Sequence, residues 1–176
     1  MEITKIGFKN EFDLIFSNDT LGWIKNRNNL LRKCHLALKA NGTIRFNFAR
    51  DRNCSQFIKV VREVMHSKPY IQYFYNFDWP WFMPTVEQYQ ILVRKTAFRD
   101  SRVWGENADR HFATKEDMVK WIEQPSIIPF LRSLTSSEIQ KQFTNEVIGR
   151  MLHQTRTETN TFFETFRRLN ITAKKT

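Results

Sequence analysis

Glycine is scarce in this 176-residue chain: only Gly7, Gly22, Gly42, Gly105 and Gly149 are present, and no two lie within two residues of each other. That excludes a GxGxxG fingerprint and a phosphate-cradling loop, both of which need closely spaced glycines to bring backbone N–H groups against phosphate. Cysteine is scarcer still. Cys34 and Cys54 stand at no metal-ligand spacing from His35, His66, His111 or His153, and two thiols build no disulfide framework, so no metal is expected and a reducing cytoplasm is. No apolar run approaches the roughly 18 residues of a membrane span, and Met1 is followed by Glu2 and a lysine rather than a signal peptide's hydrophobic stretch. A soluble, intracellular, single-domain protein covering 1–176 is the expectation.

Positive charge is abundant, with 28 Lys and Arg against 18 Asp and Glu and a net charge of +10. Anionic partners are compatible with this: carboxylated metabolites, nucleic acid or an acidic surface. The cations are spread from Lys5 to Lys175 without a block of five or six, a pattern that equally describes a solvated basic surface.

The most informative stretch is Phe12-Asp13-Leu14-Ile15-Phe16-Ser17-Asn18-Asp19-Thr20-Leu21-Gly22-Trp23-Ile24. Its first half suits a strand buried on both faces, and its second half supplies small polar residues where that strand would stop. Ligands in open α/β sheets lie beyond the carboxyl ends of the strands, which makes Ser17, Asn18, Asp19 and Thr20 the first candidates for contact. The alternative is that Asn18 and Asp19 only make the turn.

Downstream, Asn26 to Asn29 can cap a helix carrying Leu30, Leu31, Cys34 and Leu38, with Asn41-Gly42 at its end. A second strand, Thr43 to Ala49, completes a βαβ unit that should be parallel. Its Arg45 either lays its stem over a helix, the favoured reading, or marks a partly open face. Ser55 can cap a helix with Phe57, Val60, Val61, Val64 and Met65 on one side, stopped by Pro69. Residues 69–84 hold eight aromatics broken by proline, the composition of a loop or lid. Thr85 to Gln88 reads as a capping box, residues 98–113 as extended, Thr114 as the start of a short helix closed by Pro125, and Thr135 to Glu138 as another capping box. Phe162 to Ala173 reads as one long strand. The alternation makes the class α/β.

The string Phe12 to Asn18, the Trp23-Ile24 pair, the helix with Leu30-Leu31 and Leu36-Ala37-Leu38-Lys39, and Asn41-Gly42 before a strand resemble the middle of class I S-adenosylmethionine-dependent methyltransferases. Phe112-Ala113-Thr114, Trp121-Ile122, Ile128-Pro129-Phe130-Leu131 and the terminal strand are similar to trans-aconitate methyltransferases and their small-molecule relatives. The resemblance implies a partial Rossmann-like sheet formed by the family's fourth to seventh strands, with 114–153 as a helical cap. It implies methyl transfer to a small, anionic acceptor such as a carboxylate, which needs alignment and no general base, so no catalytic residue is named. It places Asn18, Asp19, Thr20 and Trp23 at the cofactor, S-adenosylmethionine. On the substrate side, Arg50 and Arg52 suit a carboxylate, with Trp79 and Trp81 as aromatic walls.

The family's glycine-rich cofactor loop has no counterpart here. The expectation is therefore a truncated chain with an incomplete cofactor site, whose strand 12–17 is an unpaired, hydrophobic sheet edge. Two functions of different kind follow: a small-molecule methyltransferase, or a non-catalytic module that pairs with a protein partner through that edge. The aromatics are bunched with few basic residues among them, which argues against a nucleic-acid platform.

Overall fold

The computed structural model describes residues 7–124 and 126–176. They form two compact units. The first is built from residues up to Asn53, Trp81–Ala108 and Arg167–Thr176; the second from Cys54–Pro80 and Asp109–Phe166.

The first unit holds a four-stranded sheet. Strand β1 (Phe12–Asn18) leads through a short 3-10 turn at Leu21–Trp23 to helix α1 (Arg27–Ala37), then strand β2 (Leu38–Ala49). Helix α3 (Val86–Arg94), strand β3 (Arg99–Asn107) and strand β6 (Arg167–Lys174) complete it. The sheet order is β1-β2-β6-β3, with β1 parallel to β2 and β6 antiparallel to both its neighbours. As the spacing predicted, strand, helix and strand make a parallel βαβ unit. Asn26 caps α1 by accepting the Asn29 N–H, and Thr85 and Gln88 form the expected capping box on α3.

One face of this sheet is covered. Ile44, Phe46, Phe48, Leu169, Ile171, Ala173 and Val103 pack against Leu30, Leu31 and Cys34 of α1 and Tyr89 and Val93 of α3. The other face is polar, and here the expectation that Arg45 lies over a helix fails. Its guanidinium sits 5.0 Å from the Trp104 ring and donates to Asn170 Oδ1 at 2.8 Å, on a face where Asn47 and Glu106 also bond Asn170 and Arg102 lies over Trp104. Burial on both faces fails too for β1, where Phe12, Leu14 and Phe16 are exposed, Phe16 to 65%. Among the described residues the strand stands at the sheet edge, as expected, paired on its other side with β2.

The end of α1 and the extent of the last strand differ from the sequence reading. The helix end expected at Asn41-Gly42 falls at Ala37, because those residues form an irregularity inside β2, where the β1 register shifts between Phe12 and Leu14. Asn41 takes φ 65°, and a Cβ on Gly42 would meet Leu38 Cδ2 at 2.9 Å and Phe12 O at 3.0 Å, so glycine is required for contact. The long strand over 162–173 is broken into β5 (Phe162–Glu164) and β6.

The second unit contains helix α2 (Ser55–Met65), a 3-10 turn at Ile71–Tyr73, strand β4 (Arg110–Phe112), and helices α4 (Lys115–Ile122), α5 (Ile128–Leu131) and α6 (Ser137–Thr155), with β5 paired antiparallel to β4. α2 packs on α6, and Phe57, Val60, Val61 and Val64 of α2 and Phe143, Val147 and Met151 of α6 are buried. Thr114 caps α4 as expected; the closing Pro125 lies outside the described residues. The cap of α6 is Ser136, one residue later than the Thr135 box.

Ser55 does not cap α2. The N-cap position is taken by the preceding Cys54, which is left-handed and whose side chain does not cap the helix. Instead Glu164, fully buried, accepts the N–H groups of Gln56 at 3.2 Å and Phe57 at 2.8 Å. A carboxylate from β5 thus satisfies the orphan donors of a helix 107 residues away in sequence, where the helix dipole favours negative charge. Burial nevertheless pushes its pKa up, against the pull of those amides.

Candidate functional site

β1 ends at Asn18, and the chain turns through Asp19 at φ 58°. Three contacts hold this tip. The Asp19 N–H donates to Asn47 O at 2.8 Å, the Ser17 and Thr20 hydroxyls share a 2.7 Å hydrogen bond, and Arg168 from β6 donates to the Asp19 carboxylate. Asp19 stays 53% exposed while paired, and Arg168 is 15% exposed. Asn18 lies in register with Asn47, whose amide donates to Asn170 Oδ1 at 2.9 Å, and Asn170 in turn donates to Glu106 Oε2 at 3.0 Å. A polar network therefore runs from the strand tip across β2, β6 and β3.

Trp23 packs edge-on against Trp81, with ring centroids 5.7 Å apart, and the Phe82 N–H donates to Gly22 O at 2.9 Å. Beneath this junction Arg27 is 2% exposed, its guanidinium 4.5 Å from the Phe48 ring and 5.3 Å from Phe82. Its Nη2 donates to Phe82 O at 3.4 Å, while among the described residues Nε and Nη1 are buried without a hydrogen bond. Desolvation lowers its pKa, and burial pushes the neighbouring Tyr89 up to about 12.

Of the expected site residues, Asn18, Asp19 and Thr20 come together at the tip, and Trp23 and Trp81 form a ring pair. Arg50 follows β2, but its guanidinium is engaged by Asp51 at 2.9 Å and Asn107 at 3.2 Å, which weakens it as a receptor for a carboxylate. Arg52 is 84% exposed, 3.8 Å from Asp51. Trp79 belongs to the second unit, where it packs on Phe130 at 5.5 Å and under Arg62 at 4.5 Å, beside a groove of about 400 Å³ lined by His66, Phe74, Tyr75 and Phe77. The aromatic segment 69–84 is divided between the two units.

Sequence reasoning missed Arg168, Asn170 and Arg27. The first two carried a signal, since Leu169, Ile171 and Ala173 alternate with them and so assign Arg168 and Asn170 to the face of Asn47. The tip contains no histidine or cysteine. Its amide, hydroxyl and carboxylate are suited to binding and orienting a charged ligand. Among the described residues, no group of three His, Cys, Asp or Glu could hold a metal ion, and no helix is long and apolar enough to cross a membrane.

This architecture is the Rossmann-like fold of methyltransferases, and residues 1–46, which carry the tip, match a family model described as a methyltransferase domain. Among solved structures, loganic acid methyltransferase with SAH is similar over 99% of this chain and 64% of its own, with a TM-score of 0.73 and 10% identity. Phosphoethanolamine N-methyltransferase 2 of Haemonchus contortus, in complex with S-adenosyl-L-methionine, is similar over 99% of this chain and 36% of its own, at 0.51 and 19% identity. YcgJ protein from Bacillus subtilis gives 98%, 68%, 0.52 and 10%. This chain thus spans 64% of the length of the first and 36% of the second. No curated protein matches it by sequence.

Proposed function

We propose that the chain serves methyl transfer from S-adenosylmethionine to a small molecule, with a carboxylic acid oxygen as acceptor in the manner of trans-aconitate methyltransferases. The observation that carries this is the β1 tip, where Asn18, Asp19 and Thr20 gather inside the segment matched by the methyltransferase family model. These residues fit the methionine end of the cofactor: the Asp19 carboxylate for its ammonium, the Asn18 amide and Thr20 hydroxyl for its carboxylate. When bound, the cofactor supplies an electrophilic methyl on a sulfonium. A carboxylate acceptor would need no proton removed, so no residue of this chain is asked to act as a base. This chain's part is to orient the pair, with Trp23 and Trp81 excluding water; alignment of this kind lowers barriers by roughly 7–11 kcal/mol. Arg50, Arg52 and Trp79 are weaker candidates for the acceptor.

No glycine-rich loop is present to grip the adenosine, so S-adenosylmethionine is expected to bind no better than about millimolar to the chain alone. Calorimetric titration checks this, and micromolar affinity would overturn the incomplete-site reading. If titration with S-adenosylhomocysteine at high concentration moves no amide resonance of Ser17 to Trp23, the cofactor assignment itself falls.

A second reading is favoured by the exposure of Leu14 and Phe16 on an edge strand. Here the chain is an interaction module, meeting another polypeptide along β1 without catalysis.

A further inference from the structure

We infer that the second unit binds an aromatic carboxylate in the groove of about 400 Å³ beside Trp79, with Arg62 as its anion receptor. This goes beyond the methyl-transfer reading and does not rest on it. Every residue lining the groove falls within 62–79, from the last turn of α2 through the aromatic run that follows, and all belong to one unit. The volume lies in the range of about 300–1,000 Å³ usual for small-molecule sites, and the lining, apolar with one placed charge, is of the same kind.

The walls are rings held by other rings. Phe74 packs edge-on to Phe77 at 5.4 Å, Phe77 edge-on to Trp79 at 6.3 Å, and Phe77 also stacks on Phe130 at 5.2 Å. Tyr75 stands beside them 89% exposed, its ring in solvent rather than in the core. Such walls take a flat, apolar body by offset or edge-on ring contact.

Arg62 supplies the charge and is the one charged residue of the lining. Its guanidinium lies 4.5 Å over the Trp79 ring; among the described residues it meets no carboxylate and donates to no carbonyl at the end of α2. The neighbouring Glu63 is instead engaged by Lys59, Arg150 and Gln154. Stacking on a ring fixes the plane of a guanidinium and leaves its N–H edge for two parallel bonds to a carboxylate. His66 lies beside it, tied to the same turn by a 2.6 Å hydrogen bond from Nδ1 to Arg62 O. Charge and shape therefore select together. An aliphatic acid would bond Arg62 and leave the rings unmatched, a neutral ring compound would fill the walls and leave Arg62 to water, and an aromatic amine would bring like charge to it. A phosphate ester, with a charge of about −1.5 to −2 at neutral pH, calls for more than one cation.

Titration of the isotope-labelled full chain with naphthoate, followed by NMR, tests this. The Trp79 indole N–H and the Arg62 Nε–H resonances are expected to move together, with a Kd of about 1 mM or below. Naphthamide, which has the ring and no charge, and cyclohexanecarboxylate, which has the charge and no aromatic face, should each bind at least about tenfold more weakly. Arg62→Gln should bring naphthoate down to the level of naphthamide, while Lys141→Gln, which removes an exposed cation from α6 of the same unit, should leave it unchanged. No movement of either resonance up to about 10 mM would overturn the proposal. So would either control probe binding as tightly as naphthoate, indifference to Arg62→Gln, or shifts confined to Ser17–Trp23. The comparison of the three probes on the wild type holds whether or not a variant folds.

Discussion

The two faces of the four-stranded sheet are built on different physics from the same strands. On β2 and β6 the residues of one parity, Ile44, Phe46, Phe48, Leu169, Ile171 and Ala173, are almost wholly buried beneath α1 and α3. Those of the other parity, Arg45, Asn47 and Asn170, are joined by hydrogen bonds, and Arg45 also lies over the Trp104 ring of β3. The lesson is that stability resides in one face, while the other is organised and left to do something else. The β1 tip belongs to that second face, through Asn18, Asn47 and the Asn170 network.

The largest expected effect comes from breaking the covered face. Phe46→Ala should cost about 3–5 kcal/mol, read from urea unfolding, because a fully buried ring leaves a cavity behind. On the open face, Asn170→Leu removes a side chain that bonds Arg45, Asn47 and Glu106 at once. It should cost roughly 1–3 kcal/mol. A loss as great as that of Phe46→Ala would erase the distinction between the faces.

Arg27 sharpens the comparison, because it is a cation on the covered side, held by the Phe48, Phe82 and Tyr89 rings with two buried nitrogens unbonded. Arg27→Met should leave stability unchanged or raise it by about 1 kcal/mol, since an apolar chain of similar volume avoids the desolvation cost. A clear loss in the same unfolding experiment would mean that the ring contacts fix α1.

The smallest effect is a pH dependence. His35, at the end of α1 and edge-on to Phe98 at 5.1 Å, has its pKa lowered by burial and by Lys175. The unfolded chain then takes up the proton more readily, so stability is lost as pH falls below the ordinary histidine value of about 6.5. His35→Gln should flatten that part of a plot of urea midpoint against pH.

Local chemistry was legible in the sequence. The caps at Asn26, Thr85 and Thr114, the parallel βαβ unit and the polar tip all follow from residue types within a few positions of one another. What was not legible depends on distant partners. The Arg168 contact to Asp19 joins residues 149 positions apart, and the Glu164 cap of α2 joins residues 107 apart. Arg45 was misread for a related reason: alternation showed a polar face on β2, but only β3 and β6 beside it reveal Trp104 and Asn170 as its partners. Apolar richness in β1 suggested burial, yet an edge strand carries the same letters as a central one.

The position of β6 bears on how the chain is made. It lies between β2 and β3 but follows both in the sequence. While the chain leaves the ribosome, those two strands emerge with the place between them empty, and Leu169 and Ile171 are not yet there to close the core beneath α1 and α3. The second unit waits in the same way for β5, which pairs with β4 and whose Glu164 satisfies the donors of α2. Neither unit can therefore close before β5 and β6 have emerged.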